Sequence, residues 1–336
     1  MKVDFHFHLE EGPYSFGWLQ RTALALEKAP DEAPNPYESH TLSWMEEQTK
    51  RLQTRLAEGC FSDRWMERYM REGRKRGIER FGIVDHLYRF EEFREYYDKY
   101  ITTDDSPLGR LQRYWLDRVQ IGSIELYLTA VRRLQQKGYP VSVGVEADFF
   151  PGGEAELKAL LSRYELDYVI GSVHFVDGWG FDNPEVQHIF EQRDLLELYR
   201  RGFEHVKQAA RSGIFDMIAH LDNLKVFNYR PDEKLMMDLY DDVAAALRAA
   251  DVASEINTGL AYRYPVKEMC PSPSLLARLY AHNVPITLSS DSHFPDDIGT
   301  MLDEAARLAW NTGYREIVYF EKRRRISVPL AMQEEA

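Results

Sequence analysis

The sequence predicts an α/β fold in which seven parallel strands form a closed or nearly closed barrel. Short β-rich segments alternate with longer stretches of helical periodicity, which is the pattern of repeated βα units. The β-rich segments are apolar nearly throughout, as parallel strands buried on both faces should be, and polar residues follow where each segment ends. In βα barrels the carboxyl ends of the strands build the active site, so these polar residues are expected to converge.

Seven segments have the composition of strands. They are Lys2 to His8, Arg80 to His86, Val141 to Phe149, Tyr168 to Phe175, Phe215 to Leu221, Ala253 to Asn257 and Ile286 to Ser290. Two connections, about 14–77 and 88–138, exceed ordinary βα loops and are predicted to be helical insertions. We therefore predict one barrel domain, 1–336, that carries two insertions. The second insertion is rich in aromatic residues, which either pack it against the barrel or form walls of a substrate pocket or a dimer contact.

Composition and charge exclude several classes of function. Hydrophobic residues make up 44% of the chain and aromatic residues 13%, enough for a sizeable core. The net charge of −13 would repel a polyanion, which argues against long nucleic acid as a partner. The basic run 322–325 is interpreted as a solvated tail.

The sequence also argues against a membrane span and a thiolate site. No apolar run reaches the roughly 18 residues of a membrane span, and Asp4 and His6 interrupt any signal peptide, so a cytoplasmic protein is expected. Cys60 and Cys270 lie far apart without a C-x-x-C spacing. Neither a disulfide framework nor a thiolate metal site is therefore expected.

Six of the ten histidines lie at the ends of predicted strands, together with two carboxylates. His6 and His8 alternate on the first strand, so both side chains should point to one face. The other candidates are His86, Glu146, His174, His220, Asp291 and His293. A single such histidine could be a satisfied core residue, but several buried imidazoles without a metal would compete for few partners. Imidazole and carboxylate ligands suit zinc, manganese or iron, so the pattern predicts a multi-metal hydrolytic centre for phosphate esters or amides.

The motifs resemble those of the polymerase and histidinol phosphatase (PHP) family, and of its histidinol-phosphatase branch. They are HFH, GIVDH, GVEADFF, IGSVHF, MIAHLD, SEINTG and SSDSHFPDDIG, in that order. The stretch 255–273, EINTGLAYRYPVKEMCPSP, is similar to the branch's pattern of an E-I-N-T strand end, an arginine before a proline and a P-S-P turn. The resemblance implies a distorted (β/α)7 barrel and two or three divalent metal ions. It implies one ion on His6, His8, Glu146 and Asp291 and a second on Glu146, His174 and His220, so that Glu146 bridges them.

The third ion of the family would use His86 and His293. It also needs a histidine six residues after the second histidine of the H-x-H pair, and here that position is Tyr14. Glu10, Glu11 or His40 could replace the missing ligand, or the site could be empty. We expect a nearby glutamate to serve.

Several residues near the predicted strand ends are candidates for substrate contacts. Arg263 is the first candidate for gripping phosphate, because its planar fork can bind two oxygens, and Lys225 is a second. Asn257 could donate hydrogen bonds to substrate or cap the following turn. Asp222 is a candidate proton donor to the leaving alkoxide.

Three acids next to predicted ligands could instead orient imidazoles. Asp4 alternates with His6, Asp85 precedes His86, and Asp222 follows His220 by two positions. Ligand imidazoles commonly donate their second N–H to a carboxylate.

The expected function is that of a metal-dependent phosphomonoesterase in which metal-activated hydroxide attacks phosphorus. The family resemblance implies L-histidinol phosphate as substrate, and hence a role in histidine biosynthesis. One alternative is a PHP-type phosphoesterase for another small phosphate ester or a nucleotide. Alternatives of another class are a barrel amidohydrolase, which also begins with H-x-H but usually bridges its metals with a lysine, and a non-catalytic metal-bound interaction module. The sequence leaves open whether the chain forms a homo-oligomer.

Overall fold

Seven parallel strands form the sheet at the centre of the protein, and the predicted barrel is confirmed. The structure is a computed structural model that describes residues 1–10, 12–28 and 35–331. Its strands are β1 (Val3–Phe7), β2 (Arg80–Ile83), β3 (Val141–Asp148), β4 (Tyr168–Ser172), β5 (Phe175–Val176), β6 (Trp179–Gly180), β7 (Met217–Ile218), β8 (Ala253–Asn257), β9 (Ile286–Ser289), β10 (Glu316–Glu321) and β11 (Arg324–Pro329). The central sheet has the order β1-β2-β3-β4-β7-β8-β9, and each of the seven predicted strands corresponds to one of these.

The ring closes between β1 and the segment that follows β9. The backbone N–H of Asp291 donates to the carbonyl of His6 (2.8 Å), and that of His8 donates to the carbonyl of Ser292 (2.7 Å). Asp4 supports this seam, because its carboxylate accepts from the backbone N–H groups of Ser290 and Gly299, both at 2.9 Å. Closure therefore places the first and last strands of the sheet, and the histidines that follow them, side by side.

Helices surround the barrel and fill both predicted insertions. They are α1 (Phe16–Lys28), α2 (Leu42–Glu58), α3 (Asp63–Lys75), α4 (Arg94–Tyr100), α5 (Pro107–Val119), α6 (Ile124–Gln136), α7 (Glu154–Leu161), α8 (Leu195–Arg211), α9 (Met237–Ala249), α10 (Gly259–Arg263), α11 (Pro273–Ala281) and α12 (Leu302–Thr312). Helices α1 to α3 form the first insertion and α4 to α6 the second. Among the described helices, none is both long and apolar enough to cross a membrane.

The insertion helices begin at side-chain caps and bury one apolar face. Ser62 accepts a hydrogen bond from the backbone N–H of Trp65, and Ser106 caps α5 in front of Pro107, which suits the first helical turn. The apolar face of α3 buries Trp65 and Tyr69, and these join the same core cluster as the barrel strands. The insertions are therefore packed parts of the core.

A hairpin of β10 and β11 covers the amino-terminal end of the barrel. Tyr319 and Phe320 of the hairpin pack in one buried cluster with Phe5 and Tyr168 from inside the barrel. The Ser142 hydroxyl at the start of β3 donates to the carbonyl of Phe320 (2.7 Å). This end of the barrel is filled by side chains.

The interpretation of 322–325 as a solvated tail is wrong, because this run forms the hairpin turn and the start of β11. Arg323 lies 2.8 Å from Asp216, which precedes β7, and Arg325 lies 2.6 Å from Asp251, which precedes β8. Ion pairs of Arg323 and Arg325 therefore attach the hairpin to acidic residues that precede two barrel strands.

Candidate metal centre

All eight predicted metal ligands lie at the carboxyl ends of the barrel strands. Glu146 lies on β3, and the others lie on the remaining strands of the sheet except β8 or just beyond them. Three groups of their ligand atoms lie within 4.8 Å of one another: His6, His8 and Asp291; His86, Glu146 and His174; and His8, His86 and His293. The structure thus brings together residues that are up to 287 positions apart in the sequence, from His6 to His293.

One set of ligand atoms surrounds Oε2 of Glu146. The Nε2 atoms of His6 and His8 each lie 3.2 Å from this oxygen and 3.2 Å from each other. Asp291 Oδ1 lies 3.4 Å from His8 Nε2 and 3.8 Å from His6 Nε2. Two imidazole nitrogens and two carboxylate oxygens therefore face a common point.

A second set surrounds the other oxygen of Glu146, Oε1. His220 Nε2 lies 3.1 Å from it and His174 Nε2 lies 3.6 Å from it. The two imidazole nitrogens are 3.2 Å apart. Glu146 therefore presents one oxygen to each set, as a bridging carboxylate would.

Two of these residues adopt a backbone conformation that is uncommon for residues with a side chain. His220 has φ +24° and Asp291 has φ +51°. Such conformations cost about 1–3 kcal/mol and persist where the surroundings enforce them, often at functional sites. Here the turn after β7 directs His220 towards Glu146, and the turn after β9 directs Asp291 towards His6 and His8.

The charges of the centre show that it attracts cations. Burial lowers the pKa of His6, but Glu255, Glu146 and Asp291 outweigh this effect and hold the pKa well above its ordinary value. Burial likewise lowers the pKa of His174, yet Asp148 and Glu146 raise it to about 10. The negative potential that favours a proton on these rings also favours a metal ion between them.

Two carboxylates that sequence reasoning did not assign hold the imidazoles in place. Glu255, on β8 and fully buried, lies 3.1 Å from His6 Nδ1 and accepts from the backbone N–H of His220 (3.1 Å). Asp148 lies 2.8 Å from His174 Nδ1. Each contact leaves Nε2 facing Glu146, which is the arrangement that ligand histidines need. The available signals were an acid in the middle of the predicted strand ASEIN and an acid two residues after Glu146 in GVEAD.

The acids predicted to orient imidazoles occupy other roles. Asp4 bonds to Ser290 and Gly299 at the barrel seam, and Glu255 takes the position beside His6 that was predicted for Asp4. The pairing register of β1 shifts between Asp4 and Phe7, which breaks the simple alternation behind that prediction. Asp85 accepts from the backbone N–H of His86 (2.9 Å) and lies 3.2 Å from Arg89, and its Oδ1 lies 3.9 Å from Nδ1 of His8 rather than beside the ring of His86.

Comparison with known proteins agrees with this geometry. The family model described as PHP domain matches residues 60–259. The chain belongs to the PHP domain family. It is 36% identical over 224 residues to a protein of Deinococcus radiodurans named a probable histidinol-phosphatase, which covers 65% of this chain and 83% of that protein. A Schizosaccharomyces pombe protein of the same name is 26% identical over 258 residues, covering 69% and 82%.

The PHP fold also matches solved structures along nearly the whole chain. A histidinol phosphate phosphatase from Lactococcus lactis, solved with zinc, L-histidinol and phosphate, superposes with a TM-score of 0.64. The superposition covers 97% of this chain and 98% of that chain at 17% sequence identity. At this identity the likeness supports the PHP barrel itself.

A cavity of about 360 Å³ opens above the PHP centre. Its walls include ligand residues, Arg263 and Asn257, and side chains of the second insertion, namely Tyr88, Leu111, Gln112, Tyr114 and Trp115. Some insertion aromatics therefore line a pocket, as one of the two predictions for them proposed. Others, such as Tyr96 and Tyr97, are buried against Phe150.

Arg263 reaches the centre from α10, just after β8. Its Nη2 lies 3.0 Å from Asp291 Oδ2, and its Nη1 lies 2.8 Å from His293 Nδ1. A Cβ atom at Gly259 would come within 2.8 Å of Arg263 Nη2 and 2.9 Å of Asp291 Oδ2, so glycine leaves room for this ion pair. Arg263 is placed where a bound anion would meet a guanidinium.

Asn257 is buried, and its amide is engaged within the protein. Its Nδ2 donates to Glu255 Oε1 (2.9 Å) and Asp291 Oδ2 (3.2 Å), and its Oδ1 accepts from the backbone N–H of Gly259 (2.8 Å). Both amide hydrogens and the oxygen thus have partners. Asn257 connects the acid that holds His6 to a predicted ligand.

Lys225 and Asp222 lie outside the cavity wall and pair with each other. Lys225 Nζ donates to Asp222 Oδ2 (2.9 Å), to Glu268 Oε1 (2.8 Å) and to the carbonyl of Met269 (2.7 Å). Asp222 Oδ2 also accepts from the backbone N–H of Ser272 (2.8 Å). Both side chains are nearly fully buried, so the structure does not bring them to the site that was predicted for substrate contact and proton donation.

Replacing Lys225 with methionine is expected to lower stability and leave catalysis unchanged. The substitution leaves the buried carboxylate of Asp222 without its cation. Breaking a buried ion pair in this way lowers the free energy of unfolding by about 3–5 kcal/mol. Denaturant unfolding measures the stability, and kcat/KM per folded molecule measures catalysis. A large loss of kcat/KM in the fully folded variant would restore Lys225 as a substrate contact.

The residues expected to complete the third PHP metal site do not approach it as ligands. Glu10 accepts from Trp18 Nε1 (2.7 Å) on one oxygen and from Arg55 (2.8 Å) on the other. Tyr14 packs against Trp18 and is 56% exposed, and His40 is exposed beside Trp44. Glu11 lies outside the described residues. Glu10 lines the same cavity as His86 and His293, but within the described part of the chain none of these candidates belongs to a group of converging ligand atoms.

The three imidazole rings at that position are nearly parallel. The ring of His8 lies 4.2 Å from that of His86 (17° between planes) and 4.3 Å from that of His293 (4°), and the rings of His86 and His293 lie 6.1 Å apart. Imidazole lone pairs lie in the ring plane, so nearly parallel rings do not direct them at one ion. Arg263 Nη1 also lies at hydrogen-bonding distance from His293 Nδ1. The donor sets around Glu146 fit metal ions, whereas the third group has ligand atoms within 4.8 Å of one another but nearly parallel ring planes.

Proposed function

We propose that the protein is a metal-dependent phosphomonoesterase that hydrolyses L-histidinol phosphate to L-histidinol and phosphate. The observation that carries the proposal is Glu146, which presents one carboxylate oxygen to His6, His8 and Asp291 and the other to His174 and His220. The names of the relatives and of the L. lactis structure support the substrate. PHP membership supports the reaction class.

The chain's own residues would bind and orient a phosphate ester. His6, His8, Asp291, His174, His220 and Glu146 would hold two divalent ions, and zinc, manganese and iron all suit this set of nitrogen and oxygen ligands. When bound, such ions lower the pKa of water and neutralise charge on phosphate oxygens. Arg263 would bind the phosphate from the side of Asp291, while Glu255 and Asp148 hold the imidazoles of His6 and His174 in their orientation.

A count of two bound ions per chain is expected. The ring planes of His8, His86 and His293 are nearly parallel, and Glu146 and Arg263 already contact His86 and His293, so the third position is the weakest of the three candidate groups. Elemental analysis of the purified, metal-saturated protein gives the number, and His293→Ala is expected to retain both ions. A wild-type count of three that falls to two in His293→Ala would contradict the two-ion centre.

Substrate comparison tests the activity directly. Phosphate release from L-histidinol phosphate should exceed release from p-nitrophenyl phosphate and from a panel of nucleotides, each measured as kcat/KM. A nucleotide preferred over histidinol phosphate would indicate a different PHP phosphoesterase. Among the described residues that line the cavity there is no lysine, so the structure offers no bridge of the amidohydrolase type.

A further inference from the structure

The cavity above the centre has walls of two chemical kinds. At the centre, histidines and Arg263 surround Glu146 and Asp291, which is the environment for a phosphate with its metal ions. The second insertion contributes an aromatic wall, in which Tyr88 stacks on the ring of His86 (4.6 Å, 15°) and contacts Trp115 (4.7 Å, 59°). A flat ring or a cation is the group that such a wall binds well.

Asp182 adds a carboxylate to this wall. It follows the short hairpin β5–β6, lines the cavity, and makes no hydrogen bond or ion pair with any other described residue. Burial raises the pKa of Asp182 above its ordinary value, and His174 opposes that rise. Asp182 lines the same cavity as Tyr88 and Trp115.

Most of the other acids around the cavity have partners, and Glu185, which also lines it, is exposed. Asp148 contacts His174 and accepts from the hydroxyl of Tyr97 (2.9 Å), and Glu10 accepts from Trp18 and Arg55. Glu146 and Asp291 face the histidines. Asp182 is half-buried, and a cationic ligand in the cavity would pair with its carboxylate.

Asn223 offers a second acceptor at the same wall. Its backbone N–H donates to the carbonyl of His220 (2.9 Å), which fixes the residue beside the centre. Its side-chain amide lines the cavity and makes no hydrogen bond with another described residue. An ammonium group has three N–H donors and needs more than one acceptor.

We propose that Asp182, with Tyr88, Trp115 and Asn223, forms a subsite for the cationic end of the substrate, so that the enzyme selects phosphate esters that carry an ammonium or imidazolium group. The inference rests on the proposed phosphatase function, because that function places the phosphate of the substrate at the metal centre. Histidinol phosphate has this chemistry, with a dianionic head at one end and an amine and an imidazole at the other. Neutral esters lack the group that Asp182 would bind.

The test compares two ligands that differ only in the ammonium group. O-Phosphoethanolamine and ethyl phosphate are titrated by calorimetry into the metal-loaded wild-type protein and into Asp182→Asn, and L-histidinol is titrated separately. The wild type should bind phosphoethanolamine and histidinol about 10- to 100-fold more tightly than Asp182→Asn does, the range for a hydrogen bond between charged groups. Ethyl phosphate should bind both proteins equally.

Asp177→Asn is the matched control. Asp177 lies on the same hairpin but pairs with Arg201 at the surface and does not line the cavity. It should leave all three affinities unchanged. Unchanged phosphoethanolamine and histidinol binding in Asp182→Asn overturns the proposal, and so does a loss of bound metal, which would make Asp182 part of the metal centre.

The outcomes separate this inference from the proposed function. If the wild type hydrolyses none of the tested esters but Asp182 still controls histidinol binding, the phosphatase proposal fails and the subsite stands. If histidinol phosphate is hydrolysed with the same kcat/KM by wild type and Asp182→Asn, the subsite fails and the phosphatase proposal stands.

Discussion

Glu146→Ala is expected to abolish turnover and to release bound metal. Oε1 of Glu146 lies near the imidazole nitrogens of His174 and His220, and Oε2 lies near those of His6, His8 and His86, so one substitution removes a ligand from both proposed ions. Metal ions contribute several kcal/mol of transition-state stabilisation, which corresponds to a loss of about 10³-fold or more in kcat. Elemental analysis and steady-state kinetics on the same preparation measure both effects.

His205→Ala is the control for this prediction. His205 is also a buried histidine, but it lies on α8 and does not line the cavity. Its replacement should change neither the metal content nor kcat per folded molecule. Equal damage from Glu146→Ala and His205→Ala would show that the effects come from loss of folding.

Arg263→Lys is expected to lower kcat/KM for histidinol phosphate by about 10²-fold, the scale for loss of one preorganised donor to a developing charge. The guanidinium spans from Asp291 Oδ2 to His293 Nδ1, and an ammonium group cannot present two donors in that fixed geometry. Bound metal should stay at the wild-type number, which separates loss of the anion contact from loss of ions.

Arg230→Lys is the matched control for Arg263→Lys. Arg230 pairs with Glu268 at 2.9 Å and does not line the cavity. It should leave kcat/KM unchanged. A kcat/KM for Arg263→Lys within about threefold of the wild type would remove Arg263 from the phosphate site.

The barrel and the convergence of ligands could be predicted because both depend on local pattern. Parallel strands require apolar segments, and a polar residue at each segment's end marks the same face of the sheet. His174 and His220 fell at such ends, and the structure brings them within 3.2 Å of each other. The periodicity of 14–77 and 88–138 likewise indicated the helices found there.

The roles that failed depend on contacts between distant residues. Lys225 and Asp222 follow strand ends as Arg263 does, but their mutual ion pair and the contact with Glu268 turn them away from the cavity. The role of Glu255 was not predicted, because no local sequence pattern distinguishes an acid that orients an imidazole from one that binds a metal. The segment EIVYFE has the β-branched and aromatic residues of a strand and forms β10, although it was not predicted as one. The basic turn that follows it was misinterpreted because its acidic partners, before β7 and β8, are distant in sequence.

The hairpin that fills the amino-terminal end of the barrel has a consequence for the order in which the products are released. Among the described residues, Tyr319 and Phe320 pack into that end, so both products are expected to leave through the opening of the cavity above the centre. In the proposed orientation the freed alcohol stands between the phosphate and that opening. The alcohol is therefore expected to leave first, and inorganic phosphate, released last, is the product expected to compete with the next substrate molecule.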